Sequence, residues 1–127
     1  MREQVSSEKI WQFFNGFSPC DGYLCPDYSV LGTSHLLSKI SDQLIRSVMF
    51  VGANYEEARG ADSRADFSHK LQIALKEMRE SRYWLCLIAK LELNSGLKIH
   101  KPVDEATQLR AILAKSVATS RGKAKSD

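Results

Sequence analysis

Little in this chain punctuates, staples or anchors it. Prolines number three and glycines seven among 127 residues. Most of them cluster between apolar runs, which favours helices over many short strands. No apolar run approaches the roughly 20 residues of a membrane-spanning helix. The N-terminus lacks the basic start and apolar core of a signal peptide, so the cytoplasm is the expected location. Cysteines number three, an odd count that argues against a disulfide framework in a chain without a secretion signal. No glycine-rich phosphate loop is present, since Gly52 and Gly60 stand alone, and no nucleophile elbow or Cys/His pair marks a reactive centre.

What remains is an ordinary globular composition, 43% apolar and 26% charged, long enough for one hydrophobic core. A net charge of +3 permits contact with nucleic acid without demanding it. Much of that excess lies in residues 121–127, which carry Arg121, Lys123 and Lys125 and read as a basic disordered tail.

Helical periodicity begins near residue 34. Leu37, Ile40, Leu44, Val48, Val51, Tyr55 and Ala58 step by three and four along one face, predicting a helix over about 34–59. Gly60 would end it by relieving the steric cost of a left-handed cap. Ser63 is the expected N-cap of a second helix, with Asp66 three residues on completing a capping box in which Asp replaces Glu. That helix, about 64–94, carries Phe67, Leu71, Ala74, Leu75, Met78, Leu85 and Ile88. A second apolar row of Trp84, Leu87 and Leu91 widens its later half. Asn94-Ser95-Gly96 reads as its stop. Pro102 would open a third helix over about 103–120, with Asp104 and Glu105 in the favourable first turn and Val103, Ala106, Leu109, Leu113, Val117 and Ser120 inward. Residues 1–33 are less regular. A short helix over about 8–17 is expected, followed by a loop rich in proline, glycine and aspartate. The fold class expected from these elements is all-α.

Three polar constellations are worth weighing. Cys20 and Cys25 with His35 lack a fourth ligand and a proper second pair, so no metal is expected there. Cys86 sits in an apolar helical run and reads as a small core side chain. Asp66 and His69 are an i, i+3 carboxylate–histidine pair. Di-metal bundles need two such pairs plus two further glutamates; only one occurs here, at a helix start, so Asp66 reads as a cap rather than a ligand. Asn54 and Glu57 share one side of the first long helix beside its stripe. They read, with Glu80 and the neighbouring Arg79 or Arg82, as a polar network fixing helix register. No cofactor is implied.

Several of these residues together carry a resemblance. Leu44-Ile45-Arg46-Ser47, Val51-Gly52-Ala53-Asn54-Tyr55-Glu56-Glu57-Ala58, Ser63-Arg64-Ala65-Asp66-Phe67, His69-Lys70-Leu71 and Tyr83-Trp84-Leu85 resemble the four-helix bundle protein family, also called the bacterial 23S rRNA intervening-sequence protein family. The likeness spans about residues 36–120 and is densest from Gln43 to Leu91. Phe50 departs from it, standing where the family has Ser or Thr, and residues 1–33 find no clear counterpart. The resemblance implies an antiparallel up-down-up-down four-helix bundle, here with a short or irregular first helix. It further implies a cytoplasmic homopentamer without enzymatic activity, related to accessory proteins of diversity-generating retroelements.

Function is then expected to be binding. RNA or a nucleic-acid-processing partner would meet outward bases: Arg46, Arg59, Arg64, Lys70, Lys76, Arg79, Arg82, Arg121, Lys123 and Lys125. The alternative is a protein–protein scaffold that uses the apolar surplus around Trp84, Leu87 and Leu91.

Overall fold

The computed structural model describes residues 35–90 and 99–126, and the side chains of 36–90 and 99–122. The expected 8–17 helix, the Cys20–Cys25 pair, the second-helix stop at 94–96, and the side chains of Leu91, His35, Lys123 and Lys125 lie outside the described residues. Three helices are present: α1 (His35–Arg59), α2 (Arg64–Lys90) and α3 (His100–Ser126). At 1.5 Å per residue each runs for roughly 40 Å. The described residues are all-helical.

Cross-links fix the directions. Glu57 meets Lys70, Ser47 meets Ser81 and Arg46 meets Glu80, so partners on α2 rise in number as those on α1 fall. Ser68 meets Ser120 and Arg82 meets Thr107 in the same reversed sense. α1 and α2 are therefore antiparallel, as are α2 and α3. α2 packs against both neighbours, whereas α1 and α3 make no comparable contact.

The core follows the apolar stripes. All seven stripe residues expected on α1 are buried. α2 buries Leu71, Ala74, Leu75, Met78, Leu85 and Ile88 in the same three-four rhythm, with Ser81 filling the gap that the apolar pattern leaves open. α3 buries Ala106, Leu109, Leu113 and Val117, and Ile99 just before it is buried too. Each large apolar side chain so buried contributes on the order of 1.5–3 kcal/mol relative to exposure.

Helix ends depart from expectation in instructive ways. Gly60 does not hold a left-handed cap: its φ lies outside that region, and a Cβ there would find only the Glu57 carbonyl at 3.8 Å, an ordinary contact. α1 instead closes by tightening, with the Gly60 and Ala61 N–H groups donating to the carbonyls of Glu57 and Ala58 at 3.2 and 3.1 Å. These i→i−3 bonds satisfy carbonyls that a left-handed cap would otherwise have served. The second helix restarts on Ser63, whose hydroxyl accepts the Asp66 N–H at 3.1 Å while its carbonyl accepts the Phe67 N–H at 2.9 Å. Removing that acceptor leaves an orphan N–H. Ser63→Ala is expected to lower stability by about 1 kcal/mol, and Ser63→Asp to preserve it, as read from urea midpoints.

α3 begins at His100, three residues before the expected start. The Val103 N–H already donates to the Ile99 carbonyl at 3.2 Å. Pro102 thus sits within the first turn, where a missing N–H removes no intrahelical bond. Asp104 and Glu105 accordingly fall beyond the first turn, which holds no acid. At its other end α3 extends to Ser126, past the expected limit near 120.

Candidate nucleic-acid interface

The α1–α2 contact is polar at its centre and ion-paired along its rim. Ser47 and Ser81 are fully buried and face one another. Ser47 Oγ donates to the Leu44 carbonyl at 3.0 Å, while Ser81 Oγ lies 2.9 Å from Ser47 Oγ and 2.8 Å from the Glu77 carbonyl. Two small residues opposite each other let the helices approach closely, and their hydroxyls are satisfied in place. Outside this pair, Arg46 bridges two carboxylates of α2. Its Nη2 binds Glu80 Oε1, and its Nη1 lies 3.7 Å from Glu77 Oε2. Trp84 Nε1 donates to the same Glu80 oxygen at 3.2 Å. The Arg46 guanidinium also stands over the Phe50 ring, 5.9 Å from its centroid, which gives the residue that breaks the family pattern a local role.

The two carboxylates are held differently. Glu77 Oε2 is buried and accepts no hydrogen bond. Burial, reinforced by the neighbouring Glu80 charge and only partly offset by Arg46, raises the Glu77 carboxyl above its ordinary pKa. For Glu80 burial acts upward too, but hydrogen bonds from Arg46 and Trp84 outweigh it and hold the group below its ordinary value. A carboxyl raised in the folded state stabilises the fold below its unfolded pKa and loses that contribution as pH rises; a depressed one does the reverse. On acidification through the carboxylate range, about pH 5 to 4, Glu80 therefore loses stability while Glu77 gains it. Glu77→Gln should make stability fall more steeply with acid than in the parent protein, and Glu80→Gln should make the fall shallower. Urea midpoints measured across that range check both slopes.

The structure does not join Asn54, Glu57 and Glu80 into one network. Asn54 is buried and its Nδ2 donates to the Phe50 carbonyl at 2.8 Å within its own helix. Glu57 Oε2 takes Lys70 Nζ at 2.6 Å, and that bond raises the lysine's pKa. Glu80 serves Arg46 rather than Arg79 or Arg82. The reason is angular: Glu77 and Glu80 lean towards α1, and Arg82 leans towards α3.

That lean sorts the described members of the expected basic set. Arg46, Arg59 and Lys70 are neutralised by Glu77 and Glu80, by Glu56 at 3.2 Å, and by Glu57. Arg64 is exposed at the start of α2. Arg79, Arg82 and Arg121 belong to the α2–α3 seam, and Lys76 is exposed on the outward face of α2 one turn before Glu80. Arg82 Nε donates to Thr107 Oγ1 at 2.9 Å and Arg121 Nη2 to Gln72 Oε1 at 2.7 Å, both neutral acceptors. Arg79 lies one turn from Arg82, and Arg110 one turn from Thr107, between these two pins; Lys76 lies one further turn along α2. Arg79, Lys76 and Arg110 make no ion pair among the described residues. α3 carries no acid from Thr107 to Arg121. The three acids of α2 act on the other flank, Glu77 and Glu80 on Arg46 and Asp66 on Lys70. The acids of α3, Asp104 and Glu105, both precede Thr107.

The seam is thus a basic furrow about 15 Å long between Arg82 and Gln72, its guanidiniums oriented by neutral hydrogen-bond acceptors. Arg110 was absent from the expected set. Its signal was available in spacing: it falls three residues after Thr107, on a stretch of α3 without carboxylates.

Other candidates contribute little. His69 is exposed, Cys86 is half-buried, and no group of three or more His, Cys, Asp or Glu among the described residues could hold a metal ion. None of the described helices is long and apolar enough to cross a membrane.

Comparison with known proteins places this geometry in a family. A search of the curated proteins returns no match. A crystal structure of a protein of unknown function from the S23 ribosomal protein family of Bacteroides thetaiotaomicron is similar to this chain with a TM-score of 0.74 and 30% identity. The likeness covers 93% of this chain and 99% of that one. The family model described as 23S rRNA-intervening sequence protein matches residues 32–115, which include α1, α2 and most of α3. This chain belongs to the 23S rRNA-intervening sequence protein family.

Proposed function

We propose that this protein is a non-enzymatic, cytoplasmic, oligomeric four-helix bundle that binds RNA phosphates through the α2–α3 seam. The observation that carries the reading is the segregation of charge. The bases at the α1–α2 contact, Arg46 and Lys70, are matched by glutamates, whereas Arg79, Arg82, Arg110 and Arg121 share a flank without a matched acid. Phosphates supply the negative charge that this flank lacks, and their contacts position a nucleic acid without reading its sequence.

The packing supports a fourth helix. In a closed three-helix bundle each helix touches the other two. Here α1 and α3 share α2 but make no comparable contact, while their inward stripes are buried. An up-down-up-down bundle with its first helix ahead of α1 accounts for both facts. Oligomerisation, as the homopentamer the family resemblance implies, is supported by Leu36, Ile45, Met49 and Phe50, which leave α1 with large apolar side chains exposed. Those same side chains favour the second reading, a protein–protein scaffold without nucleic acid.

One preparation separates the two. Purified without nuclease, the protein should emerge as a multimer by light scattering, with an absorbance ratio that reveals co-purifying nucleic acid released by high salt. A multimer free of nucleic acid that also fails to shift RNA at low salt would overturn the binding reading in favour of the scaffold.

A further inference from the structure

The outward face of α2 carries more than charge. Lys76, Arg79, Tyr83, Leu87 and Lys90 follow one another at steps of three and four, so a single aromatic ring is interleaved with bases along one side of the helix. Tyr83 is 57% exposed on the face of α2 opposite the buried stripe. Its ring is not loose. It meets Trp84 edge to face with centroids 4.9 Å apart and an interplanar angle of 69°. Trp84 is in turn tied through Nε1 to Glu80 and packed against the core. A large aromatic ring is thereby presented to solvent on a fixed support, one turn from Arg79.

Bases in a continuous duplex are stacked on one another and offer no free face to such a ring. Unpaired bases do, and proteins that hold single strands combine a basic track for the backbone with aromatic rings for the bases. We infer that the outward face of α2, beside the α2–α3 seam, takes single-stranded RNA, with Tyr83 stacking an unpaired base while Arg79, Arg82 and Arg110 hold the flanking phosphates. This inference rests on the phosphate-binding reading and narrows it to one strand form. Orientation of the Tyr83 ring by Trp84 lowers the ordering cost of that stack.

Fluorescence anisotropy on the full-length protein tests it with three labelled probes: a 12-nucleotide oligouridylate, its duplex with oligoadenylate, and an abasic ribose–phosphate strand of equal length. The single strand is expected to bind tighter than the duplex. Tyr83→Ala should weaken oligouridylate binding about tenfold, leave abasic-strand binding unchanged and leave the mass of the assembly unchanged; Tyr83→Phe should restore parent affinity. Duplex binding as tight as the single strand would overturn the inference. So would an equal loss on the abasic and uridylate strands, or a fall in assembly mass that makes Tyr83 a subunit contact. Failure of all three probes to bind the parent protein would instead bring down the phosphate-binding reading beneath it.

Discussion

Replacing Ser81 by leucine is expected to destabilise the protein by about 3 kcal/mol, at the upper end of what overpacking a filled core costs. The position has no room. Ser81 is fully buried, its Oγ stands 2.9 Å from Ser47 Oγ across the α1–α2 contact, and the buried Leu85 and Met78 lie one turn to either side on the same face. Three added carbons must drive the helices apart, loosening the neighbouring Leu44 and Val51 as well. They also leave the Ser47 oxygen without its cross-helix partner. Ser81→Ala, by contrast, loses one hydrogen bond in a space that a methyl group fills, and should cost about 1 kcal/mol. Thermal unfolding separates them: roughly a 10 °C fall in midpoint for leucine against a few degrees for alanine. Equal and small effects would mean that the helices are not held at the separation the serine pair sets.

Reversing charge in the seam carries the largest expected functional effect. In Arg79→Glu combined with Arg110→Glu, RNA affinity at low salt should fall at least a hundredfold, because two phosphate contacts are lost and two repulsions gained. Both side chains lack a carboxylate partner, so the exchange breaks no ion pair and the fold should tolerate it. Matched control variants lie on the opposite flank. Arg46→Gln and Lys70→Gln remove charges already neutralised by Glu77, Glu80 and Glu57, so affinity should change little while stability drops modestly. A gel-shift titration of the parent, the Arg79→Glu, Arg110→Glu variant and the Arg46→Gln, Lys70→Gln variant against one RNA gives the comparison.

The contrast between these two effects shows where sequence reading succeeds. The stripe from Leu37 to Ala58 was legible because its apolar residues repeat with the helical period without a break, which the exposed Leu36, Ile45, Met49 and Phe50 do not. Ser63 was legible as a cap because its local geometry needs only neighbours three and four residues away. Ser81 was not: a polar residue in an apolar stripe looks like a gap until Ser47 is placed against it. Pro102 misled for a related reason, since proline is tolerated anywhere in a first turn and marks the start only to within a few residues. Gly60 misled because a glycine after a helix suggests a left-handed cap, although tightened i→i−3 bonds close the helix as well.

The basic residues show the same limit more sharply. Sequence alone ranks Arg46 with Arg79, both exposed arginines on long helices. Which is neutralised depends on which flank of α2 faces α1 and which faces α3, and that is a tertiary fact. A helical projection of α2 places Glu77 and Glu80 on one side of the stripe and Arg79 and Arg82 on the other. Knowing that α1 takes the acidic flank turns this projection into a candidate interface, and brings Arg110 of α3 into it.

The salt dependence of RNA binding tests the central claim most directly. If the seam neutralises about four phosphates of a single strand, log affinity should fall with log salt at a slope near −3 for the parent protein. The Arg79→Glu, Arg110→Glu variant should lose at least half that slope, and the Arg46→Gln, Lys70→Gln variant should keep it. A slope near zero in the parent protein, or an equal loss of slope in both variants, would contradict the assignment of phosphate binding to the α2–α3 seam.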